Sequence, residues 1–458
     1  MPHPATQCVF FPELLKRPVQ VRFDAPTMSV DGGAVLLAAL DRQIGLTERL
    51  ASAIHDRRQP GKVAHSVVDL LRQRSFGLGC GYPDCNDAKT LRQDPIQKLL
   101  LARDPLDGRG LADQATLSRF ENGVDSRDLY RMASELMDVV IEQPHKRRPG
   151  RRVKQITIDL DPTEDSTHGE QQLALFNGHY DTWCYLPLLA FVTFDKEPEQ
   201  QLVAAILRGG RAPASQGAIA LLRRLLPRLR QAFPRARLRV RLDGGFASPE
   251  ILSFLEQEQL EYIVAIGRNP VLSRRAEPLM KWVRRMTEKS GQSEAAFDET
   301  NYAAKSWRKL HRRVIMKAEV VRLGTCAPRD NARFVVTNLQ DSPESVYQIY
   351  RGRGDSENRI KELKNDLEMD RTSCTRFLAN QFRVLLTAAA FVLFQQMRLR
   401  LAHATNDRPT VGTMRLRLIK IAARVESSAR RVVLHFAQSH PWAEQWRLLA
   451  RSCGAAPG

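Results

Sequence analysis

Apolar residues recur at three- and four-residue spacing from about Val30 to Gln143, in the runs GAVLLAALDRQIGL, HSVVDLLRQRSFGL, PIQKLLLA and SRDLYRMASELMDVVIEQ. That period predicts helices, each with one buried face. Gly, Pro and Asp clusters separate them. At QPHKRRPGRRVK (143–154) two prolines and six Lys or Arg residues end the pattern, which predicts a basic linker. The period then drops to two. QITIDLD (155–161) sets Ile156, Ile158 and Leu160 on one face of a strand, with Asp159 and Asp161 on the other. QQLALF and HYDTWCYLPLLAFVTF flank Asn177-Gly178, a hairpin signal. A helix over SQGAIALLRRLLPRLRQAF (215–233), a strand in ARLRVRLDGG, a helix opened by Ser248-Pro249-Glu250 and a strand in YIVAIG (262–267) follow. This alternation predicts an α/β sheet with parallel strands. RRVIMKAEVVRL and ARFVVTNL predict a β-rich stretch before helix resumes near Ser345. The last 80 residues or so read as mostly helical, with AAAFVLFQQM as core packing and LRLIKIAARV and RRVVLHF ambiguous.

Composition narrows the class. With 458 residues and 43% hydrophobic residues the chain can build two or three domains and a sizeable core. Seventy Lys and Arg against 51 Asp and Glu leave a formal charge of +19. An arginine-rich genome produces such an excess, but its local runs point to a polyanionic partner, above all nucleic acid. Seven scattered cysteines without a C-x-x-C pair argue against a zinc site or a disulfide framework. The N-terminal residues do not read as a signal peptide, and the longest apolar stretch, Val384 to Phe394, falls short of the roughly 20 residues of a membrane span. The expectation is a cytoplasmic, nucleoid-associated protein with no membrane partner.

Three segments carry candidate chemistry. In VYQIYRGRGDSENRIKELKNDL, a single helix would bring Tyr350, Arg353, Glu357 and Lys364 within an arc of about 60°. Such a stripe is ordinarily apolar; a polar one is either a solvated, salt-bridged face or a functional one. Gly352 and Gly354 weaken that helix by roughly 1 kcal/mol each, which suits a close backbone approach. Asp243 ends the strand RLRVRLDGG, where α/β folds place ligands, although Asp-Gly-Gly is also a plain turn. Asp159 and Asp161 share a strand face, and periodicity does not choose between them. Three carboxylates from two strand ends and a helix are what a site for two hard divalent cations needs.

The spacing Tyr-x2-Arg-x3-Glu-x6-Lys, met by Tyr350, Arg353, Glu357 and Lys364, resembles the signature of insertion-sequence transposases of the DDE superfamily. Asp161-x-Thr163 resembles the first-Asp motif of that group, favouring Asp161 over Asp159, and Asp243-Gly-Gly-Phe246 resembles the second. His168-Gly169-x-Gln171 and GHYDTWCYLPL resemble the insertion-sequence-1380 branch. The resemblance implies an α/β, ribonuclease H-like catalytic core in two parts (155–267 and 345–375) around a β-rich insertion (268–344). An N-terminal helical DNA-binding domain (1–143), a basic linker (144–154) and a mostly helical C-terminal region (376–458) complete the expected division.

It implies Asp161, Asp243 and Glu357 as catalytic residues binding two Mg²⁺ ions, with Mn²⁺ as substitute. Cut-and-paste chemistry on terminal inverted repeats and target DNA follows, performed by a homodimer on double-stranded DNA. Tyr350, Arg353 and Lys364 would contact phosphates near the cleaved end. In some members an aromatic residue of the insertion stacks on a flipped base; Trp307 and Trp282 are the tryptophans available for that, although core packing is their favoured reading. Read from the residues themselves, Arg119 is a surface arginine or sits on a helix entering a DNA groove, and Lys146, Arg147, Arg148, Arg151 and Arg152 would meet phosphates or form a solvated linker. His168 would line the site or cap a turn. Two other functions fit the same residues: a transposase-derived, non-catalytic DNA-binding regulator, and a ribonuclease H-like structure-selective nuclease.

Overall fold

The four N-terminal periodic runs each contain a helix: Val35–Ile44, Val67–Cys80 (α1), Pro95–Leu100 and Ser126–Arg147. Local chemistry sets their ends. Ser66 accepts a hydrogen bond from the Asp69 N–H at the start of α1, and Asp125 and Asp128 form a reciprocal capping box at Ser126–Arg147. Gln114–Gly123 (α2) precedes that long helix, which is α3. The computed structural model describes residues 9–11, 19–307, 310–322, 327–405 and 407–456. Cys8, Cys326, the Arg308–Lys309 pair and most of the N-terminal stretch read for a leader lie outside the described residues.

The expected linker begins inside a helix. Helix α3 continues past Pro144 to Arg147, its last turn carrying His145, Lys146 and Arg147, cations that suit the negative end of the helix dipole. Arg147 is also drawn inward by an ion pair with Glu197, Nη2 to Oε2 at 2.9 Å.

Eight strands form the main sheet: β1 (Gln155–Pro162), β2 (Leu188–Phe194), β3 (Gln201–Ile206), β4 (Arg237–Leu242), β5 (Glu261–Ile266), β6 (Glu294–Tyr302), β7 (Arg312–Val321) and β8 (Arg329–Thr337). Their order is β6-β7-β8-β5-β4-β1-β2-β3. Only β1, β4 and β5 run parallel; every other pair is antiparallel. The sheet is therefore mixed rather than parallel throughout. The links from β1 to β2 and from β2 to β3 hold no crossover helix, so these strands return antiparallel. Helices Ala218–Ala232 (α4) and Pro249–Gln257 (α5) make the crossovers from β3 to β4 and from β4 to β5.

The stretch expected to be β-rich opens instead with a 21-residue helix, Pro270–Ser290 (α6). Its internal Pro278 and its many cations hide in sequence the buried stripe of apolar Leu272, Ala276, Met280 and Val283, which ends at polar Thr287. The three strands that follow extend the main sheet, since β8 pairs with β5. Ahead of β2, the strands Asp165–Ser166, Leu175–Asn177 and Thr182–Tyr185 form a small separate sheet.

Helices Pro343–Arg351 (α7) and Gly354–Lys361 (α8) lead to the 29-residue Phe377–Thr405 (α9). By length and composition α9 could cross a bilayer, which counting only Val384 to Phe394 overlooks. It is buried almost throughout, however, and its polar residues find protein partners: Arg383 Nε meets Glu121 Oε2 at 2.9 Å and Arg398 Nη1 meets Glu199 Oε1 at 2.8 Å. The first ambiguous segment divides into a π-type turn, Arg415–Ile419, and a strand, Ala423–Ser427, that pairs with Met28–Ser29; the second becomes the strand Val432–Phe436. One apolar cluster runs from Ala34 through the sheet to Cys453, crossing the boundaries suggested by sequence.

Phe391, fully buried on α9, tests that shared core. Phe391→Ala is expected to lower the unfolding free energy by about 3–5 kcal/mol; urea denaturation measures it, and a loss below about 1 kcal/mol would contradict a core centred on α9.

Candidate active site

Strands β1 and β4 are parallel neighbours, so their carboxyl ends open side by side. In open α/β sheets that edge receives ligands. Asp161 lies one residue before the end of β1 and Asp243 lies immediately after β4, where its Oδ1 accepts from Gly245 N at 2.8 Å and caps the turn Gly244–Phe246. Glu357 stands on α8 with its side chain mostly exposed.

The two aspartates of β1 differ in their surroundings. Asp159 is fully buried and sits in register opposite Arg241 on β4. The pair is bidentate, Arg241 Nε to Asp159 Oδ1 at 2.8 Å and Nη2 to Oδ2 at 2.7 Å, and Gln200 Nε2 donates to Oδ2 at 2.9 Å. Its lone pairs are engaged by these donors, which leaves Asp161 as the strand's carboxylate at the open edge.

Arg241 also shapes the next element. Its Nη1 donates to Ile349 O at 2.7 Å, and a Cβ on Gly352 would stand 2.5 Å from that nitrogen. The stripe expected on one helix therefore runs over two: α7 ends at Arg351, α8 starts at Gly354, and Glu362–Asp366 forms a wide π-type turn. Gly352 is where backbone and guanidinium approach most closely.

The break points Arg353 at the carboxylates. Its Nη1 lies 2.8 Å from Asp161 Oδ2 and its Nη2 lies 3.7 Å from Glu357 Oε1. Buried Ser356 donates its hydroxyl to the same Asp161 oxygen at 2.8 Å. Burial lowers the Arg353 pKa, but Asp161, Tyr350 and Asp243 overcome this and hold it above its ordinary value. Burial pushes Asp161 up to about 6; Arg353 and Ser356 oppose the rise, while Asp243 and Glu357 add to it. The three carboxylates thus share one electrostatic neighbourhood, with Arg353 at its centre. Burial also raises the Tyr350 phenol, against the pull of Arg353.

Hard oxygen donors of this kind suit divalent cations, and the mutual repulsion felt at Asp161 is what a bound cation relieves. Among the described residues, no three His, Cys, Asp or Glu side chains lie close enough to hold one metal ion. Arg353 supplies the positive charge instead.

The remaining sequence candidates scatter. Lys364 is held by Glu164, Nζ to Oε2 at 3.0 Å and to the backbone oxygen at 2.8 Å. Exposed His168 borders a cavity of about 740 Å³ with Asp370 and Arg371. Arg119, exposed on α2, bonds Thr116 of its own helix and borders a cleft of about 530 Å³ with Arg57, Lys62, Arg92 and Arg109. Lys146 pairs with Glu142 at 3.0 Å, and Arg147 is mostly buried on Glu197. Arg148, Arg151 and Arg152 line a cavity of about 940 Å³ with Arg237 and Arg239, at the end of β1 and β4 opposite the carboxylates. Trp307 is 4% exposed, packed on Tyr302 and Arg312, which removes it from stacking roles; Trp282 is 51% exposed on α6.

Sequence reasoning missed Arg241, Ser356, Glu164 and Arg208. Arg208 is 7% exposed and donates to backbone oxygens of Leu186, Pro213, Ala214 and Gln216; burial pulls it down to about 10. Arg241 was findable, since RLRVRL alternates arginines with apolar residues on a strand that must neighbour an acidic one.

A family model described as transposase DDE domain, group 1, matches residues 11–453. No curated protein sequence matches. Among solved structures, the chain is similar to the cryo-EM structure of a piggyBac transposase synaptic complex with hairpin DNA, at 10% identity and a TM-score of 0.40, covering 84% of this chain and 79% of that one.

The raised Asp161 has a measurable consequence. Between about pH 4 and 6 the folded chain keeps a proton there that the unfolded chain, with an ordinary carboxyl near 3.9, releases. The folded state binds more protons, so unfolding free energy falls as pH rises through that window. Relative to Asp161→Asn, the wild type without metal is expected to lose up to about 3 kcal/mol across it, read by urea denaturation at each pH. Parallel pH profiles would refute the raised Asp161 carboxyl.

Proposed function

Because the chain belongs to the DDE transposase family, whose model spans residues 11–453, we propose that it is the DNA transposase of an insertion sequence, with Asp161, Asp243 and Glu357 as its acidic triad. The observation that carries this reading is the meeting of Asp161 and Glu357 on Arg353, at 2.8 and 3.7 Å, with the Asp243 carboxylate in the same field. The strand order β3-β2-β1-β4-β5, antiparallel then parallel, supports a ribonuclease H-like core. The spacing of Tyr350, Arg353, Glu357 and Lys364, with His168-Gly169-x-Gln171, supports the insertion-sequence-1380 branch.

Asp161, Asp243 and Glu357 would hold two divalent cations, Mg²⁺ or Mn²⁺, which when bound activate an attacking oxygen and neutralise the leaving one. The chain's own groups do the rest. The planar fork of Arg353 matches two oxygens of a phosphodiester, and the Tyr350 hydroxyl beside it donates to the same group. Lys364 reinforces the charge next to Glu164. The protein cleaves DNA at the terminal inverted repeats and joins the resulting 3′-hydroxyl ends to target DNA, as cut-and-paste transposition requires. It does so as a homodimer, since two ends must meet, and acts on the nucleoid in the cytoplasm.

Two basic surfaces support the DNA path. The cleft around Arg119 presents Arg57, Lys62, Arg92 and Arg109. The groove of Arg148, Arg151 and Arg152 lies at the far end of the sheet, so DNA bound there is held away from the cutting edge. A second reading, a DNA-binding regulator without cleavage, is favoured by one observation: Asp161 already has a cationic partner in Arg353.

Cleavage separates the two. Purified protein with Mg²⁺ is expected to cut DNA bearing the inverted repeats that flank its gene, while Asp243→Ala and Glu357→Ala bind that DNA and leave it whole. Wild-type cutting by Asp243→Ala would remove the triad assignment, and no cutting by the wild type in Mg²⁺ or Mn²⁺ would favour the regulator. For the cleft, Arg119→Ala should reduce the slope of log affinity against log salt by about 0.9 for each phosphate it no longer neutralises; an unchanged slope would place DNA elsewhere.

A further inference from the structure

Among the described residues, buried arginines pair with acids, with one exception. Arg74, Arg241, Arg312, Arg383 and Arg398 each meet a carboxylate. Arg208 is comparably buried and meets backbone oxygens only. Its Nε donates to Leu186 O at 2.7 Å, and its Nη1 to Pro213 O and Ala214 O at 3.0 Å and to Gln216 O at 2.8 Å. Its Nη2 is buried and unpartnered among the described residues. A buried cation without an acid costs the fold stability, so stability alone does not account for it.

The four carbonyls belong to segments that flank the carboxylate edge. On one side stands the approach to β2. Leu186 N donates back to Arg208 O at 3.0 Å, and the next carbonyl, Pro187 O, accepts from Thr163 N at 3.0 Å. Thr163 lies two residues beyond Asp161, which is itself in register with Leu189 of β2.

On the other side stands the loop between β3 and α4, where the carbonyls of Pro213, Ala214 and Gln216 gather on one guanidinium nitrogen. That loop bears on the second aspartate. A Cβ on Gly245 would stand 2.7 Å from Ala214 Cβ and 3.1 Å from Asp243 Oδ1. Gly245 N in turn donates to that same Oδ1 at 2.8 Å. The turn that ties one oxygen of Asp243, and so directs the other, is therefore backed by Ala214 without a gap.

We propose that Arg208 is a positioning residue, whose guanidinium holds the β3–α4 loop behind the Gly244–Phe246 turn and so fixes the direction of the Asp243 carboxylate. The role rests on the transposase reading. Its shape matters more than its charge. A planar fork reaches Leu186 on one side and three loop carbonyls on the other, whereas a lysine ammonium is a single point on a flexible stem.

Arg208→Lys, which keeps the charge and loses the fork, tests this on the full chain bound to inverted-repeat DNA. Manganese affinity, read from the electron paramagnetic resonance signal of free Mn²⁺, is expected to fall by about tenfold or more. The kcat for cleavage should fall with it, while KM and DNA affinity in calcium-containing buffer stay at the wild-type value. Gly245→Ala should also weaken manganese binding. Both changes act on one contact, so the double variant should lose less than the product of the two single losses.

Reduced stability in urea with unchanged manganese affinity makes Arg208 a packing group only and overturns the proposal, as do independent, multiplying losses in the double variant. A parallel loss of DNA affinity in calcium makes Arg208 a DNA contact, which overturns it too. If Arg208→Lys fails to fold, Ala214→Val presses on the same turn with the guanidinium in place, and unchanged manganese affinity there overturns the proposal. A wild type that takes up no manganese on DNA strikes instead at the transposase reading itself.

Discussion

Asp159 and Arg241 face one another across β1 and β4, buried and in direct hydrogen-bond contact, each the other's main countercharge. Removing one partner from a buried pair costs about 3–5 kcal/mol, because the survivor stays charged and unpaired. The pair therefore locks the register of the two strands whose ends bear Asp161 and Asp243. It also fixes a third element, since the remaining Arg241 nitrogen holds Ile349 O and leaves room at Gly352 only for hydrogen. Placement of Arg353, and through it the meeting of Asp161 and Glu357, follows from that one contact.

Above this fixed layer the site is electrostatically unfinished. Asp161 is too buried to welcome its charge and has two further carboxylates nearby, yet among the described residues one guanidinium and one hydroxyl are its close side-chain donors. The structural Asp159 carboxylate accepts three hydrogen bonds, two from Arg241 and one from Gln200, on both its oxygens; at Asp161 both close side-chain donors meet one oxygen, and Glu357 is exposed and meets Arg353 at only 3.7 Å. Excess negative charge at a strand edge, in a chain with a large positive excess, is the combination that suits cations below and a phosphate backbone above.

Much of this is legible in sequence, and the failures have physical causes. Period-two runs with apolar alternation mark β1 and β4, and the spacing from Tyr350 to Lys364 marks the segment that brings Arg353 and Glu357 to the carboxylate edge. Asp159 and Asp161 stay indistinguishable along the chain because they share a strand face; Arg241, 82 positions away, makes the difference. The stripe misleads about continuity, since its two glycines serve a break made by that same arginine. Helix α6 is hidden by Pro278 and its cations. Trp307 lies among basic residues, so sequence leaves both stacking and core packing open; the fold packs it onto Tyr302. Alternation in the hairpin implies two faces without saying which one is covered, so the exposure of Phe176 and Trp183 emerges only from the fold.

The helix bearing Glu357 must also be anchored, because a carboxylate on a frayed turn would not hold its place. Arg359 and Glu362 on and after α8, Glu199 before β3 and Arg398 of α9 form a closed, mostly buried network: Arg398 contacts both acids, and Arg359 lies 3.3 Å from Glu199 Oε1 and 2.9 Å from Glu362 Oε1. Gln395 Nε2 adds a bond to Glu199 at 2.8 Å. This network ties the Glu357 helix to the long core helix, which in turn packs against the N-terminal helices. A buried polar network of this kind stabilises less through its charges than an apolar core would, but it admits few alternative arrangements. Movement of the N-terminal helices would therefore be transmitted to Glu357 through α9, so that the cleft around Arg119 and the carboxylate edge belong to one mechanically continuous core.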